Sequence, residues 1–495
     1  MSILNIFKTN STKTPKARLR FAPSPTGFLH LGNFRTVLFG YLLAKSLKGD
    51  FILRLEDTDQ KREVEGALDK LIDILSWSGI VFDEGPHLGG SHAPYIQTER
   101  LDIYNKHINL LLEQGKAYRC FCSEERLSQM RATQETNKQA PRYDRLCRHL
   151  SAEEIKQKLA SGEKYVIRQA MPLEGEVIVH DEIRGDIKFK ATDLDDHVLI
   201  KSNGIPTYQF ASVIDDHLME ITHVTRGDEW LPSFPKNILL YEAFNWKSPK
   251  FIHLPLILNK EGGKLSKRQG DVFVEQYRDK GYLPAAIINF CALLGWHGKG
   301  DQEIYSLSEL EKDFSLAGIG ASPAIFDSEK LDYYNGLYLR RLSDKELLKL
   351  CKPYLSEELL NNHHEEKLIS FIALAKDRMK KLSDVSELTS FLFHLPDYSS
   401  DMLVWKTLTK ENIKENLQLL INFLENIVSQ DWKKESLEQT TMNWLKENGK
   451  KNGDFLWPMR VALSGLKNSP GPFEIAGALG EEESKIRLKK AINSL

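Results

Sequence analysis

Between Arg18 and Ala22 lies a short run that suits a strand, and Pro23, Pro25 and Gly27 then break any regular element into a tight turn. Apolar residues return at helical spacing from Asn33 to Leu47 (Phe34, Val37, Leu38, Tyr41, Leu42), with Gly49 placed to stop the helix. Phe51–Leu55 is a near-continuous apolar run, the pattern of a parallel strand buried on both faces, and it ends in Glu56-Asp57-Thr58-Asp59. Amphipathic helices are expected over Val64–Trp77 and Leu101–Gln114, each closed by a glycine, Gly79 and Gly115. Strand and helix alternate here, which predicts a doubly wound α/β sheet with ligands at its strand ends.

The pattern changes between Tyr118 and Pro206, where short β-branched runs dominate: Val177–His180, Ile187–Phe189 and Val198–Lys201, with Ser202-Asn203-Gly204 as a hairpin turn. A helix with the Ser151…Glu154 capping box precedes them. This stretch reads as an α+β insertion. The sheet is expected to resume through Ile205–Ala211, Val213–Asp216 and Ile221–Arg226, then Ile252–Leu258, in which His253 reads as a satisfied core histidine. Val272 to Arg341 is mixed and mostly helical. From Ser343, opened by the Ser343…Glu346 box, the pattern is helical, with a clean apolar stripe at Ile413, Leu417, Leu420, Ile421, Leu424 and Val428.

A chain of 495 residues accommodates three or four domains. Its 41% hydrophobic and 27% charged content is that of a soluble globular protein, and a formal charge of −2 leaves nucleic-acid contact to local basic patches. Lys376, Arg378, Lys380 and Lys381 form one such phosphate patch or a solvated face. Nothing approaches the ~20 apolar residues of a membrane span. Residues 1–16 are basic and rich in Ser and Thr, and read as a short arm in preference to an organellar targeting segment; a cytoplasmic location is expected. Five cysteines do not suggest a disulfide framework.

Two stretches carry chemistry. In the first, the strand–turn–helix at Arg18–Asn33 aims a helix N-terminus at a potential anion; His30 can donate to a phosphate oxygen, and Gly32 lets a flat ring approach the backbone. The second, Gly262–Gly270, is a basic loop with Lys264, Ser266, Lys267 and Arg268, suited to closing over a triphosphate. Neither a Gly-x4-Gly-Lys-Ser/Thr phosphate loop nor a Gly-x-Gly-x-x-Gly fingerprint is present. Separately, Cys120-Phe121-Cys122 and Cys147-Arg148-His149 offer two short chelating steps for tetrahedral zinc, with Tyr143 as a substitute for His149; isolated buried thiols are the alternative. His363-His364-Glu365-Glu366 reads as exposed helix in preference to a metal site.

Ala22-Pro-Ser-Pro-Thr-Gly27, Arg54-Leu-Glu-Asp-Thr-Asp59 and Lys264-Leu-Ser-Lys-Arg268 together resemble the bacterial-type glutamyl-tRNA synthetases of class I, from about residue 17 to the C-terminus. Asn33 stands where that family's second signature histidine would be. The resemblance implies a Rossmann-like catalytic domain in two halves (17–117 and 207–260), an acceptor-end-binding insertion with a zinc site (118–206), a stem-contact region (261–342) and an all-α anticodon-binding region (343–495). It implies that glutamate lies against Arg20, Ala22, Ser24, Glu56, Tyr208 and Arg226. ATP is expected at His30, Gly32, Glu229, Lys264 and Lys267. His30 and Lys267 would meet the developing phosphate charge, assisted by Lys264 and Ser266. The zinc set it implies is Cys120, Cys122, Cys147 and His149. Further implications are Mg²⁺ with ATP, tRNA(Glu) as acceptor with tRNA(Gln) left open, adenylate formation only with tRNA bound, and a monomer. A glutaminyl enzyme, a truncated base-glutamylating relative and an inactive RNA-binding paralogue are the competing readings. The insertion and helical tail argue against the first two; His30, Lys264 and Lys267 argue against the third.

Overall fold

The computed structural model describes residues 16–25, 27–59, 64–265 and 271–495. The chain divides into two compact units, Met1–Gln276 with Ile288–Asp327, and Tyr277–Ile287 with Ser328–Leu495. The basic-loop residues Ser266, Lys267 and Arg268 and the arm before Lys16 lie outside the described residues.

The first unit is built on a six-stranded sheet. Its strands are β1 (Arg18–Phe21), β2 (Asp50–Leu53), β5 (Glu176–Asp181), β6 (Gly185–Lys190), β8 (His223–Gly227) and β9 (Lys250–Leu254), in the order β2-β1-β8-β9-β5-β6. All neighbours are parallel except the β5–β6 hairpin. Every residue of β1 is buried, its two arginines included, because Arg18 pairs with Asp50 and Glu84 and Arg20 with Asp216. The direction of winding reverses between β1 and β8, so the crevice beyond their carboxyl ends is the place where such sheets bind ligands.

Helix α1 (Leu31–Ser46) follows β1 and is buried almost all round. It lies close on the sheet at Gly40, where a Cβ would sit 2.9 Å from Thr225 Oγ1 and 3.1 Å from the Phe51 ring. Gly49 does not end this helix by turning left-handed; Lys48 does that, with φ 53°, and Gly49 is required because a Cβ there would meet the Ala17 carbonyl at 2.3 Å. α2 (Ala67–Trp77) and α3 (Leu101–Glu113) take the two expected amphipathic positions.

Within residues 118–206 the structure departs from the sequence reading. β3 (Ala117–Cys120), β4 (Val166–Gln169) and β7 (Val198–Ile200) form a separate antiparallel sheet, accompanied by α4 (Glu124–Thr136) and α5 (Ala152–Ala160). The strands at 177–180 and 187–189, expected inside the insertion, instead extend the main sheet as β5 and β6. A second departure is α6 (Tyr208–Leu218), a helix where the sheet was expected to resume. Phe210, Ala211, Val213, Ile214, Asp215 and Asp216 are all buried in it; Phe210, Val213 and Ile214 stand at i, i+3 and i+4, a helical spacing masked by the β-branched pair Val213-Ile214. α7 (Phe234–Ala243) completes the layer.

The second unit is helical. Ile413, Leu417, Leu420, Ile421 and Leu424 are buried at 0–1% exposure, but the stripe stops there: the helix ends at Leu424 and Val428 is 66% exposed. The Ser343 box is formed, its backbone N–H donating to Glu346 Oε2 at 2.8 Å. Lys376 is not spare charge, since its ammonium donates to the Leu342 carbonyl and to Asp344 at 2.9 Å. His363 packs against the rings of Phe371 and Phe393 and belongs to no acidic or histidine cluster among the described residues. No helix of the described residues is long and apolar enough to cross a membrane.

Candidate active site

The turn after β1 delivers Ala22 and Ser24 to the sheet's carboxyl edge and starts α1 at His30, which takes the N-cap position. Gly32 N–H donates to His30 Nδ1 at 3.0 Å, so that nitrogen carries no proton and Nε2 is the protonated atom. A Cβ on Gly32 would meet nothing but the His30 ring, at 3.4 Å, so its other side is open. Lys264 reaches the same neighbourhood through the bridge it makes with Leu258.

Two adjoining cavities result. One, of about 440 Å³, is lined by Arg20, Ala22, Ser24, Glu56, Tyr208 and Arg226 among others. The second, of about 220 Å³, is lined by His30, Gly32 and Lys264. Asn33, Thr36, Gly227 and Glu229 border both. Every described residue assigned from the sequence to glutamate, ATP or phosphate chemistry therefore falls on one continuous crevice, at the point where the winding of the sheet reverses. The first cavity offers guanidinium, carboxylate and phenol groups, and the second offers a helix start, an imidazole donor and an ammonium.

Beneath the first cavity lies an ion network that sequence reasoning missed. Arg54 is fully buried; it donates to Asp216 Oδ1 at 2.7 Å and to Glu56 Oε1 at 2.9 Å, and lies 3.7 Å from Asp215. Arg20 Nε donates to the same Asp216 oxygen at 3.0 Å, which fixes the guanidinium that lines the cavity. Asp215 accepts from Arg100 at 2.7 Å, Tyr104 at 2.8 Å and Gln97 at 2.9 Å. Burial pushes the Glu56 carboxyl up to about 7 against the pull of Arg54 and Arg20. Burial also opposes ionisation of Asp216, but Arg20 and Arg54 outweigh it and hold that carboxyl below its ordinary range. The available signal was a pair of adjacent carboxylates, Asp215-Asp216, directly after an apolar run.

In the insertion, Cys120, Cys122 and Cys147 bring their sulfurs within 4.8 Å of one another, the one such group of possible metal ligands among the described residues. Cys122 and Cys147 sulfurs are 3.6 Å apart, and Tyr143 Oη lies 3.3 Å from Cys120 Sγ and 3.5 Å from Cys122 Sγ. Zinc–sulfur bonds of about 2.3 Å place tetrahedral sulfurs roughly 3.8 Å apart, so the three thiols fit that ion. The neighbouring Cys147, against burial and with help from Tyr143 and Arg168, holds the Cys120 thiol below its ordinary range, and Cys147 is pushed up in return. His149 is not part of this group. It lies in the single 3₁₀ turn Leu146–His149, two residues after Cys147, and a two-residue step in such a turn sends it away from the sulfurs, to the exposed side. Tyr143 stands nearest the remaining corner.

Residues 16–333 match the family model for class I tRNA synthetases (E and Q), catalytic domain, and residues 346–492 match an anticodon binding domain. A glutamate–tRNA ligase of Clostridium botulinum is 47% identical over 485 residues, covering 97% of this chain and 99% of that one. One from Clostridium tetani is 46% identical over 483 residues, 97% and 98% of the two chains. The crystal structure of a glutamate–tRNA ligase from Elizabethkingia meningosepticum, in complex with its amino acid, superposes with a TM-score of 0.89 at 39% identity, covering 97% of this chain and all of that one. Matched along nearly its whole length in sequence and in fold, the chain belongs to the glutamate–tRNA ligases of the class I tRNA synthetase family.

Proposed function

We propose that this chain activates L-glutamate with ATP and passes the glutamyl group to the 3′ end of tRNA(Glu). The observation that carries the reading is the pair of cavities that share Gly227 and Glu229, one suited to a dicarboxylate and one to a nucleotide. A glutamate carboxylate attacks the α-phosphorus, pyrophosphate leaves, and a terminal ribose hydroxyl then attacks the acyl carbon and releases AMP. A carboxylate is already nucleophilic, so the residues contribute position and charge. Arg20 and Arg226 match the two carboxylates of the substrate, Glu56 faces its ammonium, and Tyr208, Ala22 and Ser24 shape the pocket. Glutamine would set an amide against a desolvated guanidinium, a loss of about 1.5–3 kcal/mol. His30 and Lys267 meet charge building on phosphate, with Lys264 and Ser266 beside them, while Gly32 and Glu229 border the nucleotide. Mg²⁺ accompanies ATP. The insertion meets the acceptor end, the second unit reads the anticodon, and the chain works as a cytoplasmic monomer.

Pyrophosphate exchange into ATP tests this directly. Exchange should require glutamate together with tRNA(Glu), and Lys267→Ala should lower it by about 10²–10³ while tRNA binding stays within about twofold. A purified protein that binds the tRNA but never exchanges pyrophosphate is an RNA-binding paralogue, and the reading fails.

Zinc held by Cys120, Cys122 and Cys147, with the Tyr143 oxygen nearest the fourth corner, would be structural and remote from the chemistry. Metal analysis of the purified protein should find about one zinc per chain, and Cys122→Ser should abolish it together with the order of the β3-β4-β7 sheet. Well-folded protein that is free of metal, with all three thiols open to a thiol reagent, rules the site out.

A further inference from the structure

We infer that His253 and Asp181, neither of which borders the glutamate cavity, are positioning residues that set the orientation of Arg226 through a fixed imidazole tautomer. The inference rests on the proposed glutamate pocket, which Arg226 lines.

Arg226 on β8 and His253 on β9 are directly opposite one another in the parallel register, so their side chains leave the sheet on the same face. Arg226 Nε donates to His253 Nε2 at 2.9 Å. A guanidinium has no acceptor, so Nε2 must offer a lone pair, and the imidazole is neutral with its proton on Nδ1. That proton points at Asp181 Oδ2, 2.8 Å away on β5. The same oxygen accepts the His253 backbone N–H at 3.0 Å, and Asp181 Oδ1 accepts the N–H groups of Ile183 and Arg184, each at 3.0 Å. Both carboxylate oxygens are thus occupied by donors that cannot turn around, and His253 and Asp181 are completely buried.

The chain of bonds has one consistent proton arrangement: Asp181 accepts, His253 donates at Nδ1 and accepts at Nε2, and Arg226 donates. Asn237 Oδ1 takes one bond from each terminal nitrogen of Arg226, at 3.2 Å, and the Phe251 ring lies 5.0 Å from the guanidinium carbon. Held along Nε by the histidine, the fork cannot swing about its long side chain, and less freedom remains to be lost when a carboxylate arrives. An ordinary buried histidine needs only some partner for each nitrogen. This one is aligned with the arginine that lines the glutamate cavity, and β5, paired with β9 beside it, supplies the Asp181 carboxylate that fixes its tautomer.

The test compares His253→Leu, which removes the acceptor, with His253→Gln, whose Oε1 can take the place of Nε2. Steady-state aminoacylation should show His253→Leu raising the KM for glutamate by roughly 10–100-fold, with the KM for ATP within about threefold, and His253→Gln recovering most of the loss. Equal changes in both KM values, or no benefit from glutamine over leucine, would overturn the inference. Should either variant fail to fold, ¹⁵N spectra of histidine-labelled wild-type protein decide: His253 must show a protonated Nδ1 and a bare Nε2 at neutral pH, and the opposite tautomer or an imidazolium refutes it. A wild-type protein that never activates glutamate would sink the proposed function instead, independently of that spectrum.

Discussion

Arg54→Leu is expected to destabilise the first unit by about 3–5 kcal/mol or more, the cost of removing one member of a fully buried charge pair. Arg54 is 0% exposed and its guanidinium is shared among Asp216, Glu56 and Asp215. Without it those three carboxylates retain Arg20 and Arg100 as cationic partners, and Asp215, 0% exposed, cannot reach water. Arg54→Lys should recover little, because a compact ammonium cannot span acceptors that a planar fork meets along separate edges. Urea denaturation at neutral pH measures the loss; a leucine variant within about 1 kcal/mol of wild type would show that the network contributes nothing.

The pH dependence has a definite sign. Asp216 in the wild type is held below its ordinary value of 3.8, so its contribution is complete above that value and is lost as the pH falls through the lower, folded one. In the leucine variant burial acts on Asp216 against Arg20 alone, so that carboxyl rises from its depressed value, and Glu56, already raised to about 7 by burial, loses the pull of Arg54 and rises further. The folded variant then binds more protons than the folded wild type, so lowering the pH favours the variant relative to the wild type. The stability gap should accordingly be widest at neutral pH and narrow as acid protonates the carboxyls.

The same network marks the limit of what the sequence makes legible. β2 and α1 follow from local apolar patterning, and Ala22, Ser24, Glu56 and Lys264 sit in short motifs whose spacing survives folding, whereas Tyr208, Arg226 and Glu229 come only through the family resemblance. Arg54 lies inside one of those motifs, yet its role depends on Asp215 and Asp216, far along the chain and on a helix read from the sequence as part of the sheet. β5 and β6 show the same split: alternation announces two strands, whereas their place beside β9 is settled by a pairing with Phe251 that leaves no local trace. The fourth zinc ligand, left open between His149 and Tyr143, shows a limit of another kind, since spacing along a chain says nothing about the azimuth of a 3₁₀ turn. Gly49 served as a helix stop in the sequence and as a clearance for the Ala17 carbonyl in the fold, because a glycine needed for contact looks like one needed for a turn. Chemistry carried on neighbouring residues is legible; chemistry assembled across the sheet is not.

His30 gives the second large effect, and its geometry allows capping and catalysis to be separated. The ring does two things at once: Nδ1 accepts the Gly32 N–H at the start of α1, and protonated Nε2 belongs to the cavity that Lys264 also lines. Alanine removes both and is expected to cost about 1 kcal/mol of stability from the cap, along with about 10²–10³ in the rate of glutamate activation. Asparagine places an oxygen where Nδ1 was, so His30→Asn should keep the cap to within about 0.5 kcal/mol and still lose the same 10²–10³ in rate. Glutamine reverses the pattern: its amide nitrogen can stand near the Nε2 position, while the cap acceptor is gone. His30→Gln should therefore unfold more easily than His30→Asn but retain more activity. Pyrophosphate exchange and thermal unfolding, measured on the three variants together, give this crossed ordering only if the imidazole donates to a phosphate oxygen. Activity that merely tracks stability across the series would reduce His30 to a helix cap and leave the charge on phosphate to the lysines alone.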